Sequence, residues 1–229
     1  MTRSRARCGV ALAVLAGGSI LGGPPADPAD KFEAEVRKFE ERDKTDPPPK
    51  GAILFYGSST IAKWNIANCF PGLATINRGI GGTHVSDALR FAERIAIPYA
   101  PRVIVFYAGD NDLAARKAPG RVFEDFQAFV KKIRGALPAT RIVFISIKPS
   151  PSRWALWPEI QEANQRVAEF GKTDPKLDYL NIAPATLGAD GKPDPALFQK
   201  DGLHLNEKSY AAWSALLKPL LAEPAKPEK

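Results

Sequence analysis

The chain has 229 residues, is 45% hydrophobic and 25% charged, and carries a formal charge of +7. That length suits one domain with a substantial core, and the hydrophobic-to-charged balance is that of a soluble globular protein. Lys and Arg are mixed with Asp and Glu, with no basic run or aromatic-basic ladder, so nucleic-acid binding has no support.

The N-terminus places Arg3, Arg5 and Arg7 before an apolar, Gly-interrupted stretch from Cys8 to Gly23, followed by Pro-rich sequence. A basic region and then a short apolar one is the layout of a secretory signal. The apolar run is short beside the roughly 20 residues of a membrane span. Residues 1–26 are therefore expected to act as a signal peptide, with an uncleaved anchor and membrane association through residues 8–23 as the alternative. Either way the protein is expected to be exported, to the periplasm or beyond the cell. Removing three arginines and no acid takes the charge from +7 to +4. Cys69 is then the sole cysteine, so no internal disulfide forms and the fold rests on its core.

Phe32, Val36 and Phe39 recur at helical spacing among charges and predict an amphipathic helix over 31–44. The prolines at 47–49 stop it, so 27–50 reads as a helix and Pro-rich linker ahead of a main domain at 51–222, with 223–229 a polar tail. Within the domain, short apolar runs at 52–57, 73–78, 102–108, 141–147 and 177–182 are rich in Val, Ile, Phe and Tyr. Their near-continuous apolarity suits strands buried on both faces. Helix-period segments at 83–99, 122–137, 159–172 and 206–221 follow or separate them. Strand–helix alternation of this kind predicts an α/β fold, a parallel sheet of five strands sandwiched between helices. In such sheets ligands bind beyond the carboxyl ends of the strands, at a topological switch point.

Several motifs fail on inspection. "RGIGGTH" follows a strand and opens a helix, but His84 stands where a dinucleotide-binding loop needs its last glycine. "GKT" at 171–173 has Arg166 where a P-loop needs its first glycine. No G-x-S-x-G elbow occurs. With two histidines and no cysteine pair, a zinc site is poorly supplied. No cofactor or metal is expected.

What remains is a set of short segments at predicted strand ends or helix starts: Gly57-Ser58-Ser59, Gly79 to Gly82, Gly109 to Asp112, and Asp201 to His204. Acyl transfer needs a nucleophile, a base, a group that orients the base, and donors for the oxyanion. His204 can serve as base, and Asp201, three residues earlier, can reach its other ring nitrogen. Gly82 lets a backbone N–H approach a substrate unobstructed, and Asn111 offers a neutral amide donor.

In this order these segments resemble the SGNH hydrolases, also called GDSL esterases, over nearly the whole chain after about residue 50. The resemblance implies a flavodoxin-like, three-layer α/β/α sandwich with an open site. It makes Ser59 the nucleophile and assigns Asp201 and His204 to the triad. Ser59, Gly82 and Asn111 become the oxyanion hole. One departure stands out: Ser58 occupies the place of the family's Asp, which is not the triad acid. Arg78, Arg153 and Trp154 are further candidates for substrate contact, with Trp154 and Trp157 either covering the core or walling a pocket. His84 is expected to be structural.

The expected activity is hydrolysis of small carboxylic esters, acylated carbohydrates or lipids, by an exported serine esterase that favours short acyl (acetyl) groups. The alternatives are a lysophospholipase or thioesterase of the same family, or a non-catalytic carbohydrate- or lipid-binding module on this fold.

Overall fold

Two of the apolar runs become strands with no exposed face. In the computed structural model, which describes Met1 and residues 31–222, β1 (Ile53–Gly57) and β3 (Val103–Tyr107) are buried at every position. They lie at the centre of one parallel sheet with β2 (Thr75–Gly79), β4 (Arg141–Ile145) and β5 (Leu177–Leu180), in the order β2-β1-β3-β4-β5. The edge strand β2 buries only alternate residues, as one half-covered face requires. Apart from Met1, the expected export segment 1–26 lies outside the described residues, as does the tail 223–229. Among the described residues no helix is long and apolar enough to cross a membrane.

Helices α1 (Glu33–Thr45), α4 (Val85–Ile95), α6 (Pro119–Ala136) and α7 (Trp157–Gly171) cover one face of the sheet. There Tyr56, Phe106, Phe126, Phe129 and Phe144 pack ring against ring. On the other face α8 (Glu207–Leu221) and two one-turn helices, α2 (Ser59–Ala62) and α3 (Ile66–Cys69), enclose Phe55, Trp64, Phe70 and Trp213. The remaining short helix, α5 (Asp110–Ala114), follows β3.

Three differences from the sequence reading have local causes. The helix expected over 83–99 ends at Ile95 and yields to a 3₁₀ turn at Ile97–Tyr99, because Pro98 cannot continue the α-helical ladder. The helix expected from 122 starts at Pro119, where a proline is pre-set for the first helical position. The N-terminal helix is no appendage: Phe32 and Val36 are buried in the same core as the sheet. Arg94 on α4 reaches Glu33 and Glu40 at 2.8 and 2.6 Å, and Asp43 takes Arg78.

Candidate active site

β1 ends at Gly57, whose φ of 139° suits glycine alone, and a Cβ there would stand 1.9 Å from the Tyr107 carbonyl oxygen. Ser58 continues extended, donates its N–H to that same oxygen at 2.9 Å, and is fully buried. Ser59 then begins α2 and comes to the surface, half-buried. The helix sits directly on the end of β2, where a Cβ on Gly79 would lie 2.2 Å from the Ala62 nitrogen. Past Gly79 the chain turns through Gly81 and Gly82, both exposed. Gly82 has a φ of 81°, and a Cβ on Gly81 would fall 3.9 Å from the Ser59 Cβ.

His204 arrives on a loop closed by the pairing of Phe198 with Leu205, both buried. His204 Nε2 is 3.1 Å from Ser59 Oγ, and its Nδ1 is 2.6 Å from Asp201 Oδ2. Asp201 also accepts the backbone N–H groups of Leu203 and His204 on its other oxygen, at 2.9 and 3.0 Å. The His204 bond and these two amides hold the Asp201 carboxyl well below its ordinary value. The carboxylate orients the ring, and Nε2 can take the Ser59 proton.

After β3, Gly109 (φ 118°) leads into α5 and sets Asn111 beside the Gly81–Gly82 turn. Asn111 Nδ2 donates to the Thr83 carbonyl at 3.1 Å, and its Oδ1 accepts from Arg153 Nη2 at 2.9 Å. Asp112, fully buried, accepts the Val85 N–H at 3.1 Å and Lys117 at 2.6 Å, tying this loop to the start of α4. His84 stands just before α4 as its N-cap, its N–H donated to Asp87.

Beneath these groups lies a charged cluster that was not evident in the sequence. Lys148 Nζ, buried, is 3.1 Å from Asp110 Oδ2 and donates to Tyr107 Oη at 3.0 Å and Thr60 Oγ1 at 3.2 Å. Arg153 Nη1 is 3.2 Å from the same Asp110 oxygen. Burial pushes the Asp110 carboxyl up, but the two cations outweigh it and hold it below its ordinary value. For Lys148, burial pulls down while Tyr107 and Asp110 raise, and the balance is upward. The one sequence signal was a lysine directly after an apolar strand, in "FISIK".

Two expected substrate contacts point elsewhere. Arg78 shares a strand with Asn77, and the pleat sends them to opposite faces. Asn77 bonds the Ile61 carbonyl of α2, whereas Arg78 is buried against Asp43, donates to Tyr99 Oη at 2.8 Å and lies between the rings of Phe39 and Tyr99. It anchors α1. Arg153 turns inward onto Asn111 and Asp110 instead of lining a wall. Trp154 and Trp157 stack with centroids 5.7 Å apart; Trp157 packs on the core and Trp154 lies half-buried against it.

Both Ser59 and Asn111 follow strands at the point where the order reverses, the switch point between β1 and β3. The model of the GDSL-like lipase/acylhydrolase family matches residues 56–212, from the end of β1 into α8. The chain belongs to that family. It is a carboxylic ester hydrolase on the fold its relatives share. A Streptococcus pneumonia protein provisionally described as a platelet activating factor is 21% identical, covers 85% of this chain and 94% of its own, and superposes with a TM-score of 0.75. A Bacteroides fragilis protein provisionally described as an acylhydrolase is 22% identical, with coverage of 86% and 97% and a TM-score of 0.72. An acetyl-xylooligosaccharide esterase from Geobacillus is 13% identical, with coverage of 79% and 99% and a TM-score of 0.61. At these identities the likeness concerns the fold. Among curated proteins nothing matches in sequence.

Proposed function

We propose that this member of the family is an exported serine esterase that removes short acyl groups, acetyl above all, from acylated carbohydrates or lipids through an acyl-enzyme. The observation that carries the mechanism is the unbroken line of contacts from Asp201 through His204 to Ser59, 2.6 and 3.1 Å long. Ser59 Oγ attacks the ester carbonyl as His204 Nε2 takes its proton. Asp201 holds the ring in the tautomer with its proton on Nδ1 and stabilises the imidazolium that forms. The tetrahedral oxyanion is met by the Ser59 and Gly82 backbone N–H groups and the Asn111 amide. His204 then gives its proton to the leaving alcohol oxygen, and water, deprotonated by the same ring, releases the acid.

Short acyl preference is supported by the neighbours named for acetyl ester cleavage, the acetyl-xylooligosaccharide esterase and an acetyl esterase solved with acetate. Export is supported by the basic-then-apolar order of residues 3–23. Hydrolysis rates for p-nitrophenyl esters from acetyl to palmitoyl, with Ser59→Ala as control, test the reading. A maximum at acetyl is expected. A maximum at long chains would replace it with a lysophospholipase or thioesterase, and full turnover by Ser59→Ala would end the mechanism.

A further inference from the structure

Asn111 presents two ends of nearly the same shape and opposite use. Its N–H₂ stabilises a developing oxyanion, whereas its carbonyl oxygen repels one, and the side-chain amide exchanges them by a half-turn about a broad, two-fold torsion. Two contacts discriminate between the orientations. The Thr83 carbonyl can only accept and sits 3.1 Å from Nδ2. The Arg153 guanidinium can only donate and sits 2.9 Å from Oδ1. Both are satisfied by one orientation and both are broken by the other. Of the two, only Arg153 carries a charge, and a charged donor on an amide oxygen makes the stronger bond and polarises the N–H groups on the far side.

The arginine is itself held. Its Nη1 lies 3.2 Å from Asp110 Oδ2, and that carboxylate is fixed from below by Lys148 at 3.1 Å. All three charged side chains are largely out of solvent, 16%, 4% and 1% exposed for Arg153, Asp110 and Lys148. The segment carrying Arg153 is pinned to the loop of the base, where Ser152 N–H meets the Gly202 carbonyl at 3.0 Å. Its guanidinium therefore has no freedom to reach outward while these contacts stand.

We infer that Arg153 is a positioning residue for the oxyanion step, locking Asn111 with its N–H₂ group toward Ser59 and strengthening it as a donor. This rests on the proposed role of Asn111. A double-mutant cycle with p-nitrophenyl acetate tests it, using wild type, Arg153→Met, Asn111→Ala and the double variant. Loss of one charged hydrogen bond predicts a fall in kcat of about 10–100-fold for Arg153→Met, with KM changed by less than about 3-fold. Once Asn111 is alanine, Arg153→Met should cost less than about 3-fold more.

Equal losses in both backgrounds would overturn the inference, since Arg153 would then act on substrate or on the fold. Unchanged kcat in Arg153→Met beside a damaged Asn111→Ala would overturn it and leave the oxyanion role of Asn111 standing. A fully active Asn111→Ala would remove both. Arg153→Lys, which keeps a cation beside Asp110, covers the case in which the methionine variant does not fold. Its kcat should fall less and show the same dependence on Asn111, and a change confined to KM would count against the inference.

Discussion

Replacing Lys148 by methionine keeps an unbranched side chain one atom shorter and removes the charge, leaving the Asp110 carboxylate in the interior without its principal partner. Lys148 is 1% exposed and the pair is 3.1 Å apart. Breaking such a pair costs about 3–5 kcal/mol, because the remaining charge is buried uncompensated. Here Arg153 remains 3.2 Å from Asp110 and the Tyr107 hydroxyl 3.3 Å away, so the expected loss lies near the lower end, about 3 kcal/mol. For a domain of this size that is a Tm lower by roughly 6–12 °C. Urea unfolding at neutral pH measures it directly. Asp110→Asn should cost a similar amount by stranding the ammonium, and the double variant should lose at least about 1 kcal/mol less than the sum. A loss under about 1 kcal/mol for Lys148→Met, or strict additivity, would refute the view that this is a mutually dependent buried pair.

The two serines should part company. Ser58 Oγ is buried without a hydrogen-bond partner, so Ser58→Ala should leave turnover within about 3-fold of wild type and stability unchanged or slightly higher, while Ser59→Ala abolishes turnover and labelling by an organophosphate. The acid limb of activity above about pH 4 should carry no contribution from Asp201, which is held well below its ordinary value and stays ionised there. A slope of log kcat/KM against pH steeper than one in that range would show that Asp201 takes up a proton there. The clamp on α1 should weaken in acid. Hydrogen bonds from Arg94 and then Arg37 bring Glu33 from 4.5 to about 2, and Arg94 also lowers Glu40. Because the folded values are depressed, the stabilisation is complete above about pH 4.5 and is lost as pH falls toward about 2. The stability gap between wild type and Arg94→Met should close over that window, and a constant gap would count against the clamp.

Much of this architecture could be read from sequence because its signals are local. β1 and β3 are buried on both faces, and their runs are apolar without a break. Gly57, Gly82 and Gly109 stand where the chain needs positive φ, and Asp201 and His204 lie on a single turn, so spacing alone brings them together. What escaped depends on partners far along the chain. Arg78 finds Asp43 and Tyr99, 35 and 21 residues away, and Arg153 finds Asn111, 42 residues away. No periodicity encodes those pairings, so both arginines looked available for substrate. The one-turn helices α2, α3 and α5 are too short to show a period at all, and α2 carries the serine.

The contacts of Gly57 and Gly79 with neighbouring backbone divide the site into two kinds of territory. Around β1 Ser59 is placed by main chain resting on main chain, Gly57 against Tyr107 of β3 and Gly79 against Ala62, where even a methyl group has no room. Neither glycine can take a side chain without moving Ser59. On the β4–β5 side the rim is made of irregular segments, Pro151 to Leu156 and Gln199 to His204, joined to the rest by side chains and a few amide bonds. New acyl or alcohol preferences, whether reached by natural drift or in the laboratory, have more room on that second side, at positions other than Arg153, Asp201 and His204. The first is bound to its reaction.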